Sequence, residues 1–268
     1  MSTGKFTEKE FWEDYWKTRP EAAEIKRTKK GLSINSILDV FDKYLPVNEN
    51  FNALEIGGAP GQYLIYMHKN FKYKIHSLDY ARIGNEQTVK NLKAVNIDVT
   101  VYEKDLFAEN FSEGLPKFDV VYSLGFIEHF DNLTDVVARH VQLLKPGGIL
   151  LLGVPNLRGI YKWFLKQTAP KHLAIHNLNT MDVANWEKFE KELNLQTVFK
   201  SYVSGFEPLV MKKLDLPAGK AGIKNPWTYF LNFIVKCLMM VFSFNFAFLR
   251  KYNSKRWSGY LIGVYEKN

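Results

Sequence analysis

"NALEIGGAPGQYL", residues 52–64, joins a short apolar run to a glycine-rich turn. Between a first strand and its helix, such a turn presents backbone N–H groups and a helix N-terminus to a ligand. A dinucleotide loop needs glycines at relative positions 1, 3 and 6, which here are Gly57, Ala59 and Gln62. Only the first matches. Pro60 removes one N–H donor from the loop, and Glu55 would repel a pyrophosphate. The stretch therefore disfavours a dinucleotide and favours a ligand with a positive end and no phosphate.

Working outward, short β-like runs alternate with helical stretches. "NALEI" (52–56) precedes a helix over 61–70, "YKIHSLD" (73–79) a helix over 84–95, and "DVTVYEKD" (98–105) stands next. "FDVVYSL" (118–124) leads to a helix over 133–144, and "LKPGG" (144–148) is the helix stop and turn feeding "GILLLGV" (148–154). "LQTVFKSYV" (195–203) and "SGYLIGVYEK" (258–267) complete the strands, while 6–18 and 33–45 read as amphipathic helices. This alternation predicts a parallel sheet covered by helices on both faces.

The chain has 268 residues, enough for one large α/β domain or a domain with a substantial insertion. A net charge of +8 leaves phosphates, anionic lipid and nucleic acid eligible as partners without implying any of them. The single cysteine, Cys237, excludes an intramolecular disulfide and any multi-cysteine metal site. Acidic residues in "MSTGKFTEKEFWEDYW" stand where a signal peptide would be apolar, so a cytoplasmic chain is expected.

With these elements in place, the chain resembles the class I S-adenosylmethionine-dependent methyltransferases of small-molecule type. Glu55, Gly57, Gly58 and Gly61 match the family's acidic residue and glycine-rich turn, although Ala59 replaces a glycine common there. The resemblance covers roughly residues 50–200 and the final strand. It implies an α/β, Rossmann-like seven-stranded methyltransferase sheet with its last strand antiparallel, in one domain over 1–268. N-terminal helices would occupy 1–48, and a helical, aromatic-rich insertion 204–257. It also implies S-adenosylmethionine as cofactor, with Asp79 accepting both ribose hydroxyls. Asp105 would accept the adenine amino group, Leu106 would lie on the ring, and Ser123, Leu124 and Gly125 would border the cofactor.

"YSLGFIEHF" (122–130) holds a Glu128–His129 pair similar to the E-H of small-molecule O-methyltransferases, including those of ubiquinone synthesis. Some relatives add a glutamate three positions before the Glu and hold a divalent metal with the trio. That position is Gly125 here, and no metal is expected. His129 is the candidate general base, since an imidazole titrating near neutrality can take a hydroxyl proton. The alternative is a packed histidine that shapes the pocket or caps the next helix.

His172 and His176 have the i, i+4 spacing of a helical metal pair, but no glutamate follows His172, no third ligand is expected nearby, and Pro170 argues for a loop. Resemblance places this segment over the substrate pocket. Glu128 and His176 are therefore substrate candidates, and Asn179 or Thr180 the N-cap of the next helix.

One stretch departs from the pattern: 229–249 is 21 residues with a single charge, Lys236, flanked by basic residues. It is long enough to span a bilayer as a helix, yet the last strand lies beyond it and must rejoin the sheet. Residues 226–256 are therefore expected to lie on an anionic membrane surface at the cytoplasmic face, a core helix or oligomer contact being the alternative. The acceptor is expected to be small or lipid-linked, a cell-surface glycan or lipid precursor, with a quinone precursor second. No appended RNA module or clustered basic face in the core supports nucleic acid as a partner. A non-catalytic binding protein that kept the cofactor fold stays open, as does the oligomeric state.

Overall fold

A computed structural model describes residues 5–18, 24–27, 32–212, 230, 233, 234, 237 and 252–268. Seven strands form one sheet in the order β3-β2-β1-β4-β5-β7-β6. They are β1 (Asn52–Ile56), β2 (Lys74–Asp79), β3 (Val99–Glu103), β4 (Phe118–Leu124), β5 (Leu144–Pro155), β6 (Leu195–Phe206) and β7 (Ser258–Lys267). β1 through β5 pair in parallel, and β7 runs antiparallel between β5 and β6, as expected.

Period-2 alternation sorts the side chains onto two faces. Leu54, Val121, Leu150, Leu152 and Leu261 join one core, with α5 (Leu133–Gln142), α6 (Ile160–Thr168) and α8 (Trp186–Glu192) over them. Ala53, Val120, Leu151 and Ile262 join the other, under α2 (Leu32–Tyr44), α3 (Gln62–Phe71) and α4 (Arg82–Lys93). With both faces covered, the only open route to the central strands is from their ends. β1 has β2 on one side and β4 on the other, so the chain's order reverses there. Ligands of such sheets bind at the carboxyl ends beside that reversal.

Several local expectations are corrected. "LKPGG" is not a free turn: β5 already begins at Leu144, pairs with Phe118, and resumes at Ile149 opposite Val120. The residues between are a bulge, which Gly147 accommodates at φ +70°. Pro170 does not break a helix but opens one, α7 (Pro170–Ala174), at a first-turn position where its missing N–H costs nothing. Neither Asn179 nor Thr180 caps the next turn. Asp182 does, its carboxylate accepting from Ala184 N–H. Residues 204–206, expected in the insertion, extend β6, and 208–212 form a 3-10 turn. The expected interfacial helix lies almost wholly outside the described residues. Among the described residues, no helix is long and apolar enough to cross a membrane.

The first helix, α1 (Lys9–Lys17), lies against α4. Glu13 caps it, its two carboxylate oxygens accepting from Arg82 N–H and Ile83 N–H at 2.9 Å each. Gln87 donates to Trp16 O at 2.7 Å. This docking holds α1 beyond the carboxyl edge of the sheet.

The turn after β1 depends on glycine at two places. Gly57 (φ +71°) faces the Phe126 ring and Gly61 (φ +89°) faces Leu92, where an added Cβ would come within 2.6 and 2.5 Å of side-chain carbon. Gly61→Ala should therefore cost both backbone strain and overpacking, about 2–4 kcal/mol in urea denaturation. Gly114→Ala, at φ +74° with open space around it, should cost only about 1 kcal/mol. Equal losses at the two positions would contradict the close β1–α3–α4 packing.

Candidate active site

A cavity of about 510 Å³ opens at the carboxyl ends of β1, β2 and β4. Of the residues expected at the site, Gly57, Asp79, Asp105, Leu106, Leu124, Gly125, Glu128, His129 and His176 all line it. Residues 119 positions apart in sequence thus share one wall. Glu55, Gly58, Gly61 and Ser123 do not line it. Glu55 is buried under the loop and accepts from Tyr122 OH at 3.1 Å. Gly58 packs over Ser77 and Glu55. Ser123 donates to His140 Nε2 at 3.0 Å, because the Nδ1 of that ring is committed to Val136 O. These residues support the wall from behind.

Two carboxylates mark one end of the cavity. Asp79 ends β2 and accepts from Ala81 N–H at 2.8 Å. Burial raises its pKa to about 6, although backbone N–H groups pull the other way. Asp105 follows β3, accepts from Phe107 N–H at 2.9 Å and pairs with Lys5 Nζ at 2.7 Å. Any ligand group taking that Asp105 oxygen has to displace or share Lys5.

At the other end, Ile127–His129 form a 3-10 turn after β4. Gly125 starts it at φ +75°, a conformation that disfavours the side chain some relatives carry there. His129 is 5% exposed, and its Nδ1 lies 2.8 Å from Ile175 O. A carbonyl only accepts, so Nδ1 carries the proton and Nε2 keeps its lone pair. Burial lowers the ring's pKa to about 4, correcting the expectation of titration near neutrality. Glu128, 1% exposed, is pushed up to about 8 by the same desolvation, and its Oε2 has no hydrogen-bond partner among the described residues.

His176 Nδ1 donates in the same way to His172 O at 2.7 Å. Its ring lies 4.6 Å from that of His172 and 4.7 Å from that of His129. Donor atoms of Glu128, His129 and His176 all fall within 4.8 Å of one another. Two imidazoles and a carboxylate can gather a divalent ion of borderline softness. The expectation that no third ligand lies near His176 is therefore corrected.

Sequence reasoning missed the roof. Lys5, Thr7, Phe11, Trp12, Tyr15 and Trp16 all line the cavity. Trp12 meets the His129 ring edge-on at 5.0 Å, while Phe6 N–H donates to His129 O at 2.9 Å. The one available signal was the aromatic density of "FWEDYW" on an amphipathic helix, which needs an apolar surface to cover.

Solved structures share this architecture at low sequence identity. A geranyl diphosphate C-methyltransferase from Streptomyces coelicolor A3(2), in complex with Mg2+, geranyl diphosphate and S-adenosyl-L-homocysteine, aligns at TM-score 0.60 and 10% identity, over 97% of this chain and 98% of that one. Coclaurine N-methyltransferase, bound to N-methylheliamine and S-adenosylhomocysteine, aligns at 0.56 and 13% identity, over 93% and 75%. Phosphoethanolamine N-methyltransferase 2 of Haemonchus contortus, in complex with S-adenosyl-L-methionine, aligns at 0.52 and 16%, over 86% and 51%. No curated protein sequence matches the chain. A family-wide sequence model described as "Methyltransferase domain" matches residues 16–202, well over half the chain. On that match, and with its seven-stranded sheet ending in an antiparallel strand, the chain belongs to the methyltransferase-domain family and has the class I fold.

Proposed function

We propose that the protein transfers the methyl group of S-adenosylmethionine to a hydroxyl of a small or lipid-linked acceptor, such as a cell-surface glycan or lipid precursor. The observation that carries this reading is one cavity lined by Asp79 and Asp105 together with His129, whose Nε2 keeps its lone pair. The residues present fit the cofactor. Asp79 is half-buried at the strand end where hydroxyls can donate to it, and Asp105 and Leu106 line the cavity where an amino-bearing ring could lie. Glu55, Asp79 and Glu128 have no salt-bridge partner among the described residues and are raised in pKa by desolvation, so a cationic ammonium and sulfonium arriving beside them would favour their ionised forms. A quinone precursor is the second acceptor class.

Bound there, S-adenosylmethionine would supply the electrophilic methyl carbon for in-line attack by the acceptor oxygen, its carbon–sulfur bond breaking with the electron pair left on sulfur. His129 Nε2 takes the hydroxyl proton. Most of the barrier reduction comes from alignment and water exclusion beneath the α1 aromatics. Ring contact with Trp12 and the bond to Ile175 O hold the imidazole in place for that proton.

Titration calorimetry should detect S-adenosylmethionine and S-adenosylhomocysteine but not NAD(H). Asp79→Ala should weaken cofactor binding by about 1.5–3 kcal/mol, the scale for hydrogen bonds to an ionised group. Unchanged affinity in a folded mutant would remove Asp79 from the site. His129→Ala should reduce turnover about 10²–10⁴-fold with cofactor affinity near normal. A base must be deprotonated to act, so the wild-type rate should rise as pH climbs through about 4 and stay level through neutrality. A rate that instead rises through pH 6–7 would place the titrating group elsewhere. If Nε2 serves as a free base, exhaustive chelation should leave turnover unchanged and added Zn2+ should inhibit by engaging Glu128, His129 and His176. Loss of activity on chelation would replace the base with a metal.

A further inference from the structure

The chain's charge is distributed unevenly. Residues 156–181 and 208–265 hold thirteen of the 36 Lys and Arg and only one of the 28 acids, Asp215. These two segments are therefore at +12, and the rest of the chain is at −4. Their described parts are neighbours in space. α6 abuts the turn over 252–257: Ile160 N–H donates to Arg256 O at 3.1 Å and Asn156 Nδ2 donates to Ser258 O at 2.8 Å. Tyr161 OH also donates to Trp257 O. Gly159, at φ +59°, lets the two backbones touch, since a Cβ there would run into Arg256 O.

The outer side of this pair is both apolar and basic. α6 buries Tyr161, Phe164 and Leu165 but leaves Ile160 45% and Trp163 54% exposed, three residues apart on one face. Trp257 is 41% exposed beside them, its indole N–H donating to Tyr252 O at 2.9 Å. Lys162, Lys166, Lys255 and Arg256 are exposed and have no acidic partner among the described residues. α7 follows directly, and its His172 lines the cavity. The helix bearing this face thus leads directly into a helix at the cavity wall.

From this arrangement we infer that the outer face of α6 with the 252–257 turn is a docking surface for anionic lipid bilayers. Exposed tryptophan and isoleucine suit insertion at the headgroup boundary, while the surrounding cations meet anionic headgroups. RNA would use the cations but leave the apolar residues in water, and a second copy of the chain would bring together two strongly positive faces. The surface extends the reading of a lipid-linked acceptor, on which it rests, by placing the cavity mouth at the bilayer.

Vesicle sedimentation with the full chain tests this. Binding to phosphatidylcholine vesicles should rise with added phosphatidylglycerol and fall with salt. Lys162→Glu/Lys166→Glu should weaken it at least about tenfold, at roughly 1 kcal/mol for each charge near the surface. Ile160→Ser/Trp163→Ser should weaken it at saturating anionic lipid, and thermal melting should show both variants folded. Absence of vesicle binding, or binding unmoved by either variant pair, overturns the surface. So does charge-dependent binding to RNA with no response to the Ile160/Trp163 pair. S-adenosylhomocysteine calorimetry on the same samples separates the two readings. Normal cofactor affinity without vesicle binding removes the surface alone, whereas vesicle binding by a chain that cannot bind the cofactor removes the transferase reading alone.

Discussion

Three desolvated carboxylates along one edge of a sheet, two of them buried and none in a salt bridge among the described residues, set the terms for the rest of the molecule. Glu55, Asp79 and Glu128 are each raised in pKa by desolvation above any other cause. A fold bears that cost where the groups meet hydrogen-bond donors or where a ligand later supplies positive charge. Tyr122 serves Glu55 and the Ala81 N–H serves Asp79, but Glu128 Oε2 has neither. The glycine turn, the 3-10 turn after β4 and the α1 roof can all be understood as ways of holding this acidity dry and open to one ligand.

The histidine at the far end shows the same desolvation with the opposite sign. Removing water raises a carboxylic acid and lowers an imidazolium, so one dry pocket holds Glu128 protonated and His129 neutral at pH 7. A neutral imidazole with its Nδ1 proton fixed on a carbonyl offers its Nε2 lone pair, and proton acceptance there is the role proposed for it. It is a weak base at this pKa, which agrees with a reaction carried mainly by alignment.

Much of the sheet was legible in the sequence because its central strands are short apolar runs, buried almost continuously and bounded by turn residues. Asp79, Asp105 and the Glu128–His129 pair were legible too, since counting to the end of each strand places them on one edge. What escaped depended on contacts between distant segments. Nothing in the spacing of 128, 129 and 176 announces that their donors converge, because α6 and α7 carry the chain back to β4. Amphipathicity identified 6–18 as a helix but not the surface it covers, which Glu13 decides by capping α4. Pro170 and "LKPGG" were misjudged because proline and glycine mark breaks in sequence but are also at home in a helix's first turn and in a strand bulge. The pKa of His129 follows from burial, which no local pattern encodes.

The central claim is that one cavity holds the methyl donor with its sulfur toward His129. A crystal structure with S-adenosylhomocysteine tests it directly. Ribose hydroxyls should donate to Asp79, the adenine should lie beside Asp105 and Leu106, and the sulfur should face the space before His129 Nε2. A ligand seated with its ribose away from Asp79, or with its sulfur directed away from His129, would contradict it.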